Sequence, residues 1–129
     1  MRLWGPVAVY MALMYVGATT PSPPVPPGLS DKALHLAAYA ALAVLVARAV
    51  AGGLPSRITL GTAGIAIAIT IAYGTALEVR QAFIVARMAE FVDAYFNAAG
   101  ACVGTAVCWA WGILAFRHVP HHGVARHER

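Results

Sequence analysis

The sequence predicts an all-α polytopic membrane protein, a bundle of four transmembrane helices with a short interfacial or re-entrant segment between the third and the fourth. Its 129 residues are 60% hydrophobic and only 11% charged, whereas soluble domains carry about 25% charged residues. Two long stretches, 58–77 and 94–116, contain no charged residue. A soluble domain of this size would need a far more polar surface, so lipid is expected to replace water around most of the chain.

Four predicted spans form a membrane domain of residues 1–116, and they cover about 3–19, 31–51, 58–81 and 93–116. The first has 17 residues, just enough to cross roughly 30 Å of hydrocarbon at about 1.5 Å per residue. A cleaved signal peptide is the alternative, because Val16-Gly17-Ala18 resembles a small-residue cleavage site. The single Arg2 before the run, together with the length of the run, favours a retained helix.

An extended connector is predicted between the first two spans, because five prolines occur within residues 20–28. Ser30 follows as the expected N-cap of the second helix, with Asp31 in the first turn. His35 and Tyr39 come four and eight residues after Asp31, so these three side chains are expected to share one helix face.

The third predicted span, 58–81, is rich in β-branched residues, which in water would favour strands. Its first twenty residues are uncharged and carry no turn signal, so a spanning helix is the better interpretation. The next eleven residues, 82–92, are too few to cross a bilayer. They are therefore assigned to the interfacial or re-entrant segment.

One face of the fourth span combines polar and small residues. Asp93, Asn97, Gly100 and Gly104 follow one another at spacings of 4, 3 and 4 residues. Gly100 and Gly104 form a GxxxG pair, which indicates close packing against another helix.

No metal or other cofactor is predicted. Cys102 and Cys108 are six residues apart in the last span and point in different directions on a helix, so we interpret them as small apolar fillers. The tail, 117–129, contains four histidines, but no cysteine or acid accompanies them at a metal-binding spacing. We expect this His- and Arg-rich tail to be disordered and cytoplasmic.

Basic residues predict the orientation in the membrane. With four spans, six of them fall on one side: Arg2, Arg48, Arg57, Arg117, Arg126 and Arg129. The other three fall on the opposite side. The positive-inside tendency then puts both termini in the cytoplasm, with the chain in the cell inner (plasma) membrane. The net charge of +4 is accounted for by these flanking residues, and nucleic-acid binding is not expected.

Charged and amide residues concentrate between the last two spans. Of fourteen formal charges, nine Lys+Arg and five Asp+Glu, five lie between residues 73 and 104. Such groups cost roughly 2.5–3.5 kcal/mol each beside hydrocarbon, so they are usually paired or functional. The predicted ligand site or polar network comprises Asp31, Lys32, His35, Tyr39, Glu78, Gln81, Arg87, Asp93 and Asn97. Two interpretations stay open: a binding site, or a structural network that bridges the helices.

Two groups of these residues resemble the VanZ-like family of small bacterial membrane proteins. The first consists of Asp31, Lys32, His35 and Tyr39, and the second of Glu78, Gln81, Arg87, Asp93, Asn97 and Gly100. Together they span about residues 31–104. The chain departs from the family pattern at Leu77, where Asp is frequent, and at Val85-Ala86, where Pro-Gly is frequent. The resemblance implies a bacterial envelope protein and a link to glycopeptide (teicoplanin-type) susceptibility.

Three functions fit this pattern. The favoured one is a non-enzymatic protein of the bilayer, alone or as a homo-oligomer, whose outer-leaflet polar pocket binds a lipid-linked or amphiphilic molecule. The alternative is an intramembrane enzyme acting on lipid-linked cell-wall intermediates, with Glu78 and His35 as an acid/base pair and Arg87 as an anion clamp. A small transporter subunit is the third, weakened by the lack of an evident repeat. The sequence contains no recognisable nucleophile motif or zinc signature, which favours the non-enzymatic function.

Overall fold

The computed structural model describes residues 2–20, 28, 30–83 and 91–117. Within these ranges the chain forms four α-helices, and no strand occurs there. The helices are α1 (Trp4–Thr19), α2 (Asp31–Val50), α3 (Leu60–Gln81) and α4 (Phe91–Arg117). The predicted all-α class is therefore confirmed.

Three of the described helices, α2, α3 and α4, are long and apolar enough to cross a membrane. Their candidate spans contain 20, 22 and 25 residues, and roughly 20 are needed for a typical hydrocarbon core. At most 33% of each apolar window is buried inside the protein. Most of these side chains therefore face outward, where lipid chains solvate them better than water does. By length and composition, the chain is a membrane protein.

α1 is helical where the first span was predicted, but it contains only 16 residues. Its outward face is apolar, with Val9, Leu13 and Val16 each more than 60% exposed. That face suits lipid contact, whereas the length falls below the roughly 20 residues of a typical span. A fourth crossing by α1 stays a prediction.

Hydroxyl side chains determine where α2 and α3 begin. The Ser30 Oγ accepts a hydrogen bond from the Ala33 N–H at 3.2 Å, so the predicted cap of α2 is observed. The Thr59 Oγ1 accepts in the same way from the Thr62 N–H at 3.1 Å. α3 consequently begins at Leu60, two residues after the start expected from hydropathy alone.

α2 is the central helix, and its buried residues form most of the apolar core. Its most extensive contact is with α4. The two helices run parallel, since Gly100 lies beside Leu36 and Gly104 lies beside Ala40. A Cβ at Gly100 would collide with the carbonyl oxygen of Leu36, and one at Gly104 with that of Ala40. The missing side chains thus permit the close approach of α2 and α4.

Two tyrosines attach α1 to the rest of the bundle. The Tyr10 hydroxyl donates a hydrogen bond to the carbonyl oxygen of Ala38 in α2 at 3.2 Å. The Tyr73 hydroxyl of α3 donates to the carbonyl oxygen of Met11. A helix carbonyl can accept a second hydrogen bond through its other lone pair, so neither contact disturbs the helix that accepts it.

Three predicted segments lie partly or wholly outside the described residues: the proline-rich connector of 20–28, the interfacial or re-entrant segment of 82–92 and the tail of 117–129. The described start of the second, Ala82 and Phe83, forms a turn. Their N–H groups donate to the carbonyl oxygens of Glu78 and Arg80. The chain therefore leaves α3 through a continued helical turn.

Candidate functional site

The directions of the helices bring polar residues of three elements to one end of the bundle. α2 and α4 begin at that end, and the antiparallel α3 finishes there. Five residues predicted to form the site lie together as a result. They are Asp31, His35, Glu78, Asp93 and Asn97, called here the polar cluster.

Asn97 connects the three helices through its side-chain amide. The His35 Nδ1–H donates to the Asn97 Oδ1 at 2.9 Å, and the Asn97 Nδ2 donates to the Glu78 Oε1 at 3.2 Å. Asn97 is only 3% exposed, so these bonds replace the water that its amide would otherwise bind. The amide also separates His35 from Glu78. The two are therefore ends of a hydrogen-bonded chain, not a contacting acid/base pair.

The hydrogen bond to Asn97 determines which nitrogen of His35 carries the proton. An amide oxygen only accepts, so Nδ1 must donate, and the Nε2 of a neutral ring is left without a proton. That Nε2 lies 3.6 Å from the Asp31 Oδ2. Two acceptor atoms therefore face each other. Such an arrangement is favourable only when a proton or a cation lies between them.

Asp93 brings a second carboxylate to the same place. Ligand atoms of Asp31, His35 and Asp93 all lie within 4.8 Å of one another. Asp93 is 8% exposed, and within the described part of the chain it has no hydrogen-bond or ion-pair partner. The side chain of His35 is 15% exposed and that of Asp31 is 64% exposed. The three groups thus form a site that is closed at Asp93 and open at Asp31.

The ring of Tyr39 stacks with the imidazole of His35. Its ring is nearly parallel to that of His35, with 6.3 Å between the centroids and 8° between the planes. Tyr39 is buried, and it packs against Gly74 of α3, where a Cβ would come within 2.8 Å of the Tyr39 Cε1. A side chain at position 74 would displace the tyrosine and, with it, the ring that His35 stacks on.

A pocket of about 150 Å³ lies beside the cluster, between α1, α2 and α3. Asp31 and His35 form its polar end. Its other walls are apolar and include Met14, Leu34 and Leu77. The pocket is therefore amphipathic, with hydrogen-bonding groups at the end of the bundle and apolar groups deeper in.

A second pocket, larger at about 320 Å³, lies at the opposite end. Its lining is mainly apolar and includes Trp109 and Phe116. The charged residue there, Arg57, extends over the Phe116 ring at 5.7 Å from the centroid. An arginine against an aromatic ring is typical of a bilayer interface. This pocket lacks the combination of acids and imidazole found in the polar cluster.

Three other residues that were predicted for the site are not among those of the polar cluster. Gln81 is buried, and its Nε2 donates to the carbonyl oxygen of Ala18 at 3.2 Å; it therefore joins α3 to α1 and does not enter the hydrogen-bonded chain. Lys32 is exposed beside the cluster. Arg87 lies outside the described residues.

Sequence reasoning missed the part that α1 takes in the site. Met14 and Ala18 line the pocket, yet α1 is apolar all round and nothing in its sequence distinguishes one face. Sequence reasoning placed Asp31, His35 and Asp93 in one polar network, but it did not predict that their ligand atoms converge as a possible metal site. The four-residue spacing of Asp31 and His35 is compatible with shared ligation, but only the tertiary structure supplies the third group.

Comparison with known protein families, curated proteins and solved structures finds no match for this chain.

Proposed function

We propose that the chain is a VanZ-like integral membrane protein of the bacterial cell envelope, and that its polar cluster binds the head group of a lipid-linked or other amphiphilic molecule. The resemblance in residues 31–104 supports the family. The positions of the basic residues support an inner-membrane orientation with both termini in the cytoplasm and the cluster at the outer face. A link to teicoplanin-type susceptibility belongs to the same proposal and rests on the resemblance alone.

The amphipathic pocket is the observation that carries this proposal. An amphiphile there meets Asp31 and His35 with its head group, while its chain contacts Met14, Leu34 and Leu77. A volume of about 150 Å³ is smaller than the roughly 300–1,000 Å³ of pockets that enclose a whole ligand. The pocket therefore accommodates one part of the molecule, and the rest lies in the bilayer.

The polar cluster favours head groups that donate hydrogen bonds. Its described side chains comprise three carboxylates, one imidazole and one amide, and ionised carboxylates only accept. Hydroxyl and ammonium groups match such acceptors. A phosphate would instead require cations, for which Lys32 and Arg87 are the predicted sources.

We expect the purified full-length protein to retain donor-bearing lipids selectively. The test uses phosphatidylcholine nanodiscs doped with phosphatidylethanolamine, a glycosyl diacylglycerol or phosphatidylglycerol of the same acyl chains, with retained lipid measured by native mass spectrometry. Ethanolamine or glycosyl head groups should be enriched over choline. Ala38→Leu, which adds bulk inside the pocket, should remove the enrichment.

Ala37→Leu is the matched control, because Ala37 is an exposed residue of the same helix and does not line the pocket. It should retain the enrichment seen in the unmodified protein. Equal retention of all head groups, or an enrichment that survives Ala38→Leu, would contradict the proposal.

A further inference from the structure

We propose that Asp31, His35 and Asp93 bind a divalent transition-metal ion of the Zn²⁺ or Mn²⁺ type at the mouth of the amphipathic pocket. Two carboxylate oxygens and one imidazole nitrogen converge there from α2 and α4, all within 4.8 Å of one another. The three ligands belong to the polar cluster, and Asp31 and His35 also line the pocket proposed for the amphiphile. Metal binding does not require an amphiphile to be bound.

The burial of Asp93 is the first reason. Asp93 as a whole residue is only 8% exposed, and no described residue gives its carboxylate a hydrogen bond or an ion pair. A buried carboxylate normally has a partner, because it loses its hydration when the chain folds. Asp31 and His35 each place an acceptor atom within 4.8 Å of the Asp93 carboxylate. A cation between the three satisfies all of them.

The orientation of His35 is the second, independent reason. Its Nδ1–H donates to Asn97, a residue outside the three proposed ligands, and this leaves the Nε2 lone pair directed toward Asp31. A histidine that binds a metal through one nitrogen nearly always donates from the other to an oxygen, which fixes both the tautomer and the ring orientation. Asn97, itself held by Glu78, provides that support.

The distances fit a metal after a small closure. Ligand atoms about 2.0–2.2 Å from a tetrahedral ion lie roughly 3.3–3.6 Å from one another. The His35 Nε2 and the Asp31 Oδ2 are already 3.6 Å apart. From the 4.8 Å limit, Asp93 needs to approach by about 1.2–1.5 Å at most, and Asp31 is exposed enough to adjust to it. The open side at Asp31 leaves the remaining coordination positions to water or to a donor atom of a head group.

The mixed ligand set indicates which ions fit. Ca²⁺ and Mg²⁺ prefer sites made of oxygen alone, and Cu(I) prefers sulfur. Imidazole with carboxylates suits Zn²⁺ and Mn²⁺, which favour a nitrogen ligand to different degrees. Of the two, Zn²⁺ is expected to bind more tightly, following the usual order of divalent metals.

The experiment is an isothermal titration of the full-length protein in phosphatidylcholine nanodiscs with ZnCl₂ and, separately, with MnCl₂, after removal of metal with EDTA. The four tail histidines are replaced by glutamine throughout, so that His118, His121, His122 and His127 do not contribute. We expect one ion per chain. Asp93→Asn should abolish binding at that stoichiometry, and Asn97→Ala should weaken it by about 10–100-fold.

Glu128→Gln is the control for charge, since it removes one carboxylate from the tail without touching the three ligands; it should bind like the parent.

Thermal unfolding provides a second readout that separates a metal site from a structural aspartate. Metal should raise the Tm of the parent, whereas Asp93→Asn should raise the metal-free Tm and remove the response to metal. Absence of stoichiometric binding in the parent, or a lowered Tm in Asp93→Asn with the metal response intact, overturns the inference. Phosphatidylcholine, the head group that the amphiphile proposal expects not to be enriched, is the lipid used throughout, so a negative result here leaves the amphiphile proposal unaffected.

Discussion

A single amide, that of Asn97, joins the three helices of the polar cluster. It accepts from His35 of α2 and donates to Glu78 of α3, and it is almost completely buried. An asparagine suits this position because its side chain offers one acceptor and two donors at adjacent atoms. A carboxylic or apolar side chain of similar size could satisfy only one of the two neighbours or neither.

We predict that Asn97→Ala lowers the free energy of unfolding by about 1–3 kcal/mol, because the His35 Nδ1–H and the Glu78 Oε1 each lose a bond in a buried environment. Equilibrium unfolding in mixed micelles, followed by circular dichroism, measures the change. Asn97→Asp keeps the acceptor for His35 but sets a charge against Glu78, so it should also destabilise. Combining it with Glu78→Gln should recover part of the loss. Additive effects of the two substitutions would contradict the bridging arrangement.

At the level of residues, prediction from the sequence succeeded where side chains share a helix and was incomplete where they meet across helices. The four-residue spacing of Asp31 and His35 implied a common face, and their side chains are indeed adjacent. The partner of Gln81 could not be foreseen, because it is the backbone carbonyl of Ala18. Every residue has such a carbonyl, so no residue type in the sequence indicates this contact.

The packing of two helices depends on how closely their backbones can approach each other. In the contact of α2 with α4, two glycines permit this close approach. Gly100 and Gly104 both lie against carbonyl groups of α2. Gly64, in α3, is exposed and has no atom within 4 Å of the position that a Cβ would take. The two situations provide a matched comparison of glycine substitutions within apolar helices.

Gly104→Ala is expected to destabilise the fold by about 1–3 kcal/mol, since α4 must move away from Ala40 to make room for the methyl group. Gly64→Ala should be neutral or stabilising by up to about 1 kcal/mol, because alanine favours the helix and meets no neighbour. The same unfolding measurement applies to both. Similar effects of the two substitutions would show that the glycines of α4 do not determine the approach of the helices.

Element boundaries were predictable where hydropathy and capping agreed. Ser30 and Asp31 marked the start of α2 correctly, whereas the cap at Thr59 was overlooked inside an apolar run. Hydropathy changes gradually at such a point, but the hydroxyl acceptor fixes the first turn sharply. The pairing of α2 with α4 in parallel was not deduced either. A GxxxG face indicates that a helix packs closely without indicating against which partner.

The polar cluster and the loop after α2 lie at opposite ends of the helix bundle. Lys32 is beside the cluster, and Ser56 is beside Gly112 at the far end. The predicted orientation assigns the first to the outer face and the second to the cytoplasm. The positive-inside tendency supplies the direction, which helix length and hydropathy do not.

A labelling experiment tests this orientation and the crossing by α1. In a background carrying Cys102→Ala and Cys108→Ala, Lys32→Cys should react with a membrane-impermeant maleimide in intact cells, and Ser56→Cys should react only after lysis. Arg2→Cys should behave like Ser56→Cys if α1 crosses. Reaction of Arg2→Cys in intact cells would restrict the chain to three crossings, and reaction of Ser56→Cys there would reverse the orientation.

The parallel pairing of α2 and α4 has a consequence for biosynthesis. His35 leaves the ribosome 62 residues before Asn97, with the whole of α3 between them. The imidazole is therefore synthesised well before the amide that later fixes its proton. The cluster assembles only when the last helix arrives, so a prematurely terminated product displays unsatisfied polar groups.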